Sequence, residues 1–413
     1  FALLTSQKPL RSQQSKGREA YADEIVLVAN SSKFLQSALE SLHTFCKKWH
    51  LILNVGKTKV MKFGENTEVN FDYNGHVLEN VNIFKYLGHV LTNKRNIHAK
   101  MTEYLATQAQ KALFAIQGDT KETLGHISPL LSIKMFDTYI LPILEYNSEI
   151  WANNTPVKEL EKIQLKYLKY ILGVRQQTPT LAVYGETGRF PLHIRQQIRM
   201  ITYWAKLEKM PESNILAKCL IIQKSLNNNW YDKILNIVSE LFPNMDQNML
   251  NPNVIVKRLK AKIYQTTQEM FLAEISDSTL HPKLRTYKLF KSDYRIEPYL
   301  ILNLSKKSYR KIARFRVSSH NLRIETGRHV NPIIPLENRT CLKCDMHVVE
   351  NEIHCLLICP NGQTHREDLI RIANMNIGNF VQLNTDEKFK AIMSTKEPEL
   401  IKSIGKFLVN IDV

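Results

Sequence analysis

The sequence predicts an α+β unit at the N-terminus, then a predominantly α-helical stretch, then a small zinc-stabilised module. Three features carry that reading: a β-branched apolar run over residues 25–29 followed by a helical stripe, a change to helical periodicity beyond Thr92, and four cysteines gathered between Cys341 and Cys359. Residues 1–20 are polar, show no period, and read as an unassigned leader, either a linker or a badly joined start. From Tyr21 the pattern sharpens. Ile25-Val26-Leu27-Val28-Ala29 has the continuous apolar character of a strand buried on both faces. Ser31 and Ser32 are N-cap candidates for a helix in which Leu35, Ala38, Leu39, Leu42, Phe45, Cys46 and Trp49 repeat at helical spacing, ending near His50. Residues 58–63 and 69–73 read as short strands, with Asn74-Gly75 as a hairpin turn. Residues 21–95 therefore form one compact α+β unit.

Beyond it, Ile97, Met101, Leu105, Ala109, Ala112 and Ile116 make one helical stripe, with Gly118 as its stop. Leu131, Met135, Tyr139 and residues 157–172 continue in the same style, and Asn227-Asn228-Asn229 and residues 248–253 read as loops. The divisions that follow are two helical regions over 96–205 and 206–305, a basic helix plus zinc module over 306–375, and a helical tail over 376–413.

The chain has 413 residues, 44% hydrophobic and 23% charged, the balance of a globular chain with room for several cores. Its 56 Lys and Arg against 39 Asp and Glu give a formal charge of +17, which favours polyanionic partners, nucleic acid first. Ten of those cations lie between Lys306 and Lys343, where only Glu325 and Glu337 oppose them. No run approaches the roughly 20 apolar residues of a membrane span, and residues 1–4 lack the basic start and apolar core of a secretory signal. The expectation is an intracellular protein of nucleus and cytoplasm with no membrane partner. Six cysteines are too sparse for a disulfide scaffold, and their clustering points to a metal.

Two constellations carry chemistry. Tyr21-Ala22-Asp23-Glu24 places an aromatic residue and two acids ahead of the first strand. Nucleotidyl transfer by two metal ions needs carboxylates held rigidly beside the primer terminus, and a tight hairpin holds them so. Taken alone, four such residues fit a solvated turn as well. The second constellation is Cys341-Leu342-Lys343-Cys344 with His354 and Cys359, or C-x2-C-x9-H-x4-C. Zinc takes four N or S ligands tetrahedrally; a C-x2-C turn aims two thiolates at one point, and His354 and Cys359 complete the set from a short helix. Such a site has no open position for water and is structural. Cys355, His347 and His365 are left over, and Cys355 would point away if His354 points in. Ahead of the cluster, Arg310, Lys311, Arg314, Arg316, Arg323 and Arg328 interleave with Tyr309 and Phe315. Guanidinium groups suit phosphate and aromatic rings suit stacked bases.

Further segments follow the acid turn in a set order. They are Leu51-Ile52-Leu53-Asn54 with Lys57-Thr58-Lys59-Val60 and Phe63, then Phe84-Lys85-Tyr86-Leu87-Gly88. Leu141-Pro142-Ile143-Leu144 with Ser148-Glu149-Ile150-Trp151 comes next, then Ile171-Leu172-Gly173-Val174, Tyr184-Gly185-Glu186, Gly188-Arg189 and Pro191-Leu192. With the cysteine-histidine segment and Cys359-Pro360, this succession resembles the C-terminal part of reverse transcriptases from non-LTR retrotransposons. The resemblance implies the end of a polymerase palm over 21–95 and a thumb over 96–205, and it is poor over 206–300. It implies Asp23 as a metal-binding aspartate, with Glu24 where the family has its second aspartate. Tyr21 and Lys57 would lie beside the incoming nucleotide, and Tyr86, Leu87 and Gly88 would form the primer-gripping hairpin. RNA and DNA would be the partners, and deoxynucleotides the substrates of the intact parent.

The family's other essential aspartate lies upstream of this box, whereas residues 1–20 contain no Asp. The expectation is a catalytically incomplete fragment of an RNA-directed DNA polymerase that binds nucleic acid. It would carry one structural zinc, and magnesium only where a complete polymerase site is supplied. The alternative is a non-enzymatic RNA- or DNA-binding protein built from the thumb and the zinc module.

Overall fold

The computed structural model describes residues 2–5, 18–21, 24–64, 69–123, 127–152, 157–227, 229–241, 252–277 and 279–412. The chain divides into two compact units, residues 1–107 with 151–156, and residues 108–150 with 157–413. In the first unit β1 (Ala2–Thr5), β2 (Arg18–Tyr21), β3 (Glu24–Leu27), β4 (Lys59–Val60), β5 (Phe71–Tyr73) and β6 (His76–Asn80) form one sheet in the order β2-β3-β1-β4-β6-β5. Neighbours run antiparallel except β4 with β6. The stretch read as an unassigned leader is thus partly sheet. Ala2-Leu3-Leu4-Thr5 is β1, seated between β3 and β4. Four residues are too few to declare a period, and their pairing partners are distant in sequence.

Helix α1 (Ser32–Lys48) starts as its sequence directs: Ser31 Oγ accepts from Phe34 N at 3.2 Å. It buries Leu35, Leu39, Leu42 and Cys46 in a core with Ile25, Leu27, Phe71 and Leu78. Gln36 ties the helix to β5, donating to Asp72 O and accepting from Asp72 N, each at 3.0 Å. The strand expected to be buried on both faces is buried on one. Ile25 and Leu27 face the core, Val26 is half-buried, and Val28, past the end of β3, is 46% exposed. The core that α1 gathers holds alternate residues of the strand only. Asn74 (φ 54°) and Gly75 (φ 81°) make the expected two-residue turn between β5 and β6, the left-handed pair that suits strand twist. β7 (Ile83–Tyr86) and β8 (His89–Thr92) form a separate hairpin.

Helices follow. α2 (Met101–Thr123) runs through Gly118, where a stop was expected; a lone glycine costs about 1 kcal/mol against alanine, too little to end so long a helix. After it come α3 (Pro129–Met135), a π-helical turn at Phe136–Ile140, α4 (Leu141–Leu144), α5 (Ser148–Trp151), α6 (Lys158–Leu172), α7 (Thr180–Thr187), α8 (Leu192–Leu207) and α9 (Ile215–Ser225). Then follow α10 (Trp230–Leu241), α11 (Pro252–Ser276), α12 (Tyr287–Phe290), α13 (Pro298–Ile301), α14 (Lys306–Arg316), α15 (Arg323–Thr326), α16 (Gln363–Asn376), α17 (Thr385–Met393) and α18 (Pro398–Asn410). Asn227 and Asn229 sit between α9 and α10 as expected. Of the loop expected over 248–253, residues up to 251 lie outside the described residues, and Pro252 and Asn253 open α11. The core of the second unit draws on residues from Leu168 in α6 to Leu408 in α18. Among the described residues no helix is long and apolar enough to cross a membrane.

Candidate metal centre and nucleic-acid interface

The metal module is built from two short returns of the chain. Cys341 N donates to Val348 O at 2.8 Å and Glu350 N to Arg339 O at 2.9 Å, a tie that folds the chain back at Cys341-Leu342-Lys343-Cys344. Lys343 N points at Cys341 Sγ, 3.4 Å away. The other two donors come from a π-helical turn at His354–Ile358, closed by Cys359 N on His354 O at 2.8 Å. In an α-helix, side chains five apart would face about 140° away from one another. The wider turn, bonded five residues apart, brings them to one side. The short helix expected here is present in that altered form.

Cys341 Sγ and Cys359 Sγ lie 3.9 Å apart, and Cys344 Sγ lies 3.5 Å from His354 Nε2. All four donor atoms fall within 4.8 Å of one another. A zinc tetrahedron with metal–sulfur bonds of about 2.3 Å has edges of about 3.8 Å, whereas a disulfide closes to about 2.05 Å. The four residues can hold one metal ion, and donor set and spacing suit zinc. Burial pushes the Cys341 thiol up to about 12 and the His354 imidazole down from its usual value. Neutral imidazole is the form that binds a metal, while a buried thiolate needs a cation beside it. Cys355 is buried in the hydrophobic core, outside the ligand group.

The residues implied as a polymerase site are less gathered. Asp23 lies outside the described residues. Glu24 opens β3, half-buried, in register with Tyr21 of β2 and Thr5 of β1. The turn before β4 explains its own sequence. Asn54 O accepts from Lys57 N, Thr58 N and Thr58 Oγ1 at 3.1, 3.0 and 2.8 Å, and Asn54 Oδ1 accepts again from Lys57 N at 3.1 Å. Thr58 is thereby buried and Lys57 exposed, so Asn54 and Thr58 make the turn that presents the lysine. Tyr86, Leu87 and Gly88 lie at the β7–β8 hairpin, outside the six-stranded sheet. Leu87 there adopts φ 47°, a left-handed conformation that costs a residue with a side chain about 1 kcal/mol.

For Arg316 the structure corrects the expectation of a phosphate-facing residue. It is 4% exposed, and its Nε and Nη2 donate to Glu186 at 2.8 and 3.1 Å. Nη2 also meets Glu297 Oε2 at 2.8 Å, Glu297 pairs with Lys291, and Tyr299 Oη donates to Glu186 at 2.8 Å. The guanidinium lies 4.6 Å from the Phe290 ring centroid. Arg316 is an interior ion-pair partner, closed to phosphate. Arg328 also turns inward, with Nε 3.4 Å from the buried Glu325.

Arg310 and Arg314 remain near the surface, gathered at the C-terminal end of α6. Arg310 Nη2 donates to Tyr170 O at 2.9 Å and Arg314 Nε to Gly173 O at 2.6 Å, where the helix's terminal carbonyls and negative dipole end favour cations. Gly173 (φ 66°) admits this approach, because a Cβ there would meet Arg310 Cδ at 2.5 Å. Arg175, exposed, joins them, with Nη2 on Asn321 Oδ1 at 2.5 Å. Burial first, then the charges of Arg310 and Arg175, push the Arg314 guanidinium below its usual value. Lys311 pairs with Asp412, and Lys307 and Lys343 act on that carboxyl too, holding it below the usual range. A cavity of about 210 Å³ joins Asn321, Arg323, Lys343, Glu350 and Asp412. Through the Lys311–Asp412 pair the basic helix reaches the same cavity as the metal loop, with Arg323 and Lys343 as its cations and Glu350 and Asp412 as its acids. Arg175 was missed in the sequence because it stands alone after a helix end, without a run of charge to mark it.

Residues 4–91 match the reverse transcriptase (RNA-dependent DNA polymerase) family. The chain is also 29% identical, over 203 residues, to a transposon-derived protein of Caenorhabditis elegans, a match covering 48% of this chain and 70% of that protein. Residues 4–91 are accordingly a reverse transcriptase region.

Proposed function

We propose that this chain holds RNA or DNA on the cationic surface of its second unit, as the nucleic-acid grip of a retrotransposon RNA-directed DNA polymerase. One observation carries the reading: Arg175, Arg310 and Arg314 converge on one helix end, and no carboxylate lies within ion-pair distance of any of them among the described residues. Clustered cations without a protein anion stabilise the fold poorly and bind a phosphate backbone well. Arg323 and Lys343 extend the surface to the metal module, whose structural zinc would keep the loop of Lys343 rigid. Such contacts are indifferent to sequence and steeply salt-dependent.

The test is fluorescence anisotropy of the full chain with labelled RNA and DNA oligonucleotides over a range of salt. Arg175→Glu and Lys343→Glu alter exposed or half-exposed side chains and should each weaken binding about tenfold, lowering the slope of log affinity against log salt by about one. Affinity unchanged in both variants would sink the proposal. A second reading, primer extension by the chain itself, is favoured by the match over residues 4–91 and by Glu24, which pairs with Tyr21 across β2 and β3. Extension on an RNA template that Asp23→Asn abolishes would establish it.

A further inference from the structure

We propose that Arg366 is the counter-ion of the metal cluster, so that the charge set up by the bound metal, and no carboxylate, keeps this guanidinium inside the fold. The inference rests on the zinc reading of Cys341, Cys344, His354 and Cys359. Arg366 lies in the first turn of α16 and is 4% exposed. Among the described residues, every hydrogen bond it makes ends on a neutral oxygen. Nε donates to Leu356 O at 2.9 Å, Nη2 to Cys359 O at 2.6 Å and Cys355 O at 3.4 Å, and Nη1 to Gln363 Oε1 at 3.2 Å. Among the described residues no carboxylate lies within ion-pair distance of it. A buried guanidinium without an anion is strongly destabilising.

The anion is supplied next door. Three thiolates on a zinc dication carry a net charge of −1. The acceptor at 2.6 Å is the carbonyl of Cys359, itself a ligand, so the guanidinium is held beside the cluster whose charge it balances. The same fork holds three carbonyls of the segment 355–359, whose π-helical turn sets His354 and Cys359 on one side. Zinc-binding histidines commonly donate their second ring nitrogen to a carboxylate or carbonyl. His354 Nδ1 is buried with no hydrogen-bond partner among the described residues. Outer support of the site therefore runs through Arg366 and the backbone of Cys359. Arg366 is a positioning residue, acting on the metal through its ligands.

Zinc affinity of the full chain, by competition with a chromophoric chelator, tests this together with urea unfolding in the presence and absence of zinc. Arg366→Gln keeps an amide and removes the charge. Its zinc affinity should fall about 10–100-fold, while its zinc-free form should be at least as stable as zinc-free wild type, an unpaired buried charge having gone. Arg366→Lys, which keeps the charge, should stay closer to wild type in affinity than to Arg366→Gln. Equal zinc affinity in wild type and Arg366→Gln overturns the inference. So does a stability loss of one size with and without zinc, which a purely structural residue would give. Should the glutamine variant fail to fold, the lysine variant decides: affinity within about tenfold of wild type supports the inference, and affinity as low as that of Cys344→Ser overturns it. A wild-type chain that binds no zinc removes the metal reading itself, a distinct result.

Discussion

Arg316 and Arg366 are both 4% exposed in the second unit, and they are kept there by different means. Arg316 meets two carboxylates, Glu186 and Glu297, with an aromatic ring beneath it. Among the described residues Arg366 meets only carbonyls and an amide, beside a group of cysteines. The first arrangement is complete within the folded chain. The second is complete only when the cysteines carry charge. One buried cation therefore belongs to the fold as such, and the other makes part of the fold answer to a metal.

The largest effect expected from breaking this contrast comes from Glu186→Gln. It leaves Arg316 short of its bidentate partner and should cost about 3–5 kcal/mol. Urea unfolding should show the same loss in zinc and in chelator. A loss that vanishes on chelation would mean that Arg316 also depends on the metal.

Acid titration gives the next effect, at a buried acid two residues before His354. Glu352 accepts from His320 Nε2 at 2.9 Å, Ser318 Oγ at 3.1 Å and Arg285 Nη2 at 2.9 Å. Burial acts to raise its carboxyl, but the hydrogen bond and charge of His320 and the charge of Arg285 outweigh burial and hold it at about 2. A carboxyl depressed on folding stabilises the fold above its unfolded value near 4.5, and that contribution is lost as pH falls from there through about 2. The loss should be on the order of 3 kcal/mol. Stability measured against pH should therefore fall more steeply in wild type than in Glu352→Gln across that window, and parallel curves would refute the assignment. The smallest effect should come from Cys355→Ala. It removes a buried thiol outside the ligand group and should cost roughly 1 kcal/mol with zinc content unchanged. Loss of zinc in that variant would enlarge the ligand set.

What was legible in the sequence was local. Asn74-Gly75 declared its turn within two residues, Ser31 declared its cap, and C-x2-C-x9-H-x4-C declared its ligands by spacing that the structure closes to 4.8 Å. The fate of Arg316 was not legible. It stands in a basic helix beside Arg310 and Arg314, and its partner Glu186 lies 130 positions earlier. The ten cations of residues 306–343 therefore overstated the charge left for a partner. The π-helical turn was hidden for a similar reason: bonding five residues apart is held by a fork from α16, which no local pattern encodes. β1 escaped because a strand of four residues takes its identity from neighbours.

The two units also differ in the time each needs to become whole. The first core is assembled from residues 25–78, all made early and near one another. The second needs α18 against α14, packed so closely that a Cβ on Gly405 would come within 3.1 Å of Ser308 Cβ. While a ribosome is still short of residue 398, Ile312 and its neighbours in α14 lack the cover of α18, although the metal ligands have already been synthesised. A nascent chain would thus pass through an interval with the core of residues 25–78 already made and an open apolar surface following it. Chaperones would have that surface to hold, and premature stops within it would leave products prone to aggregate.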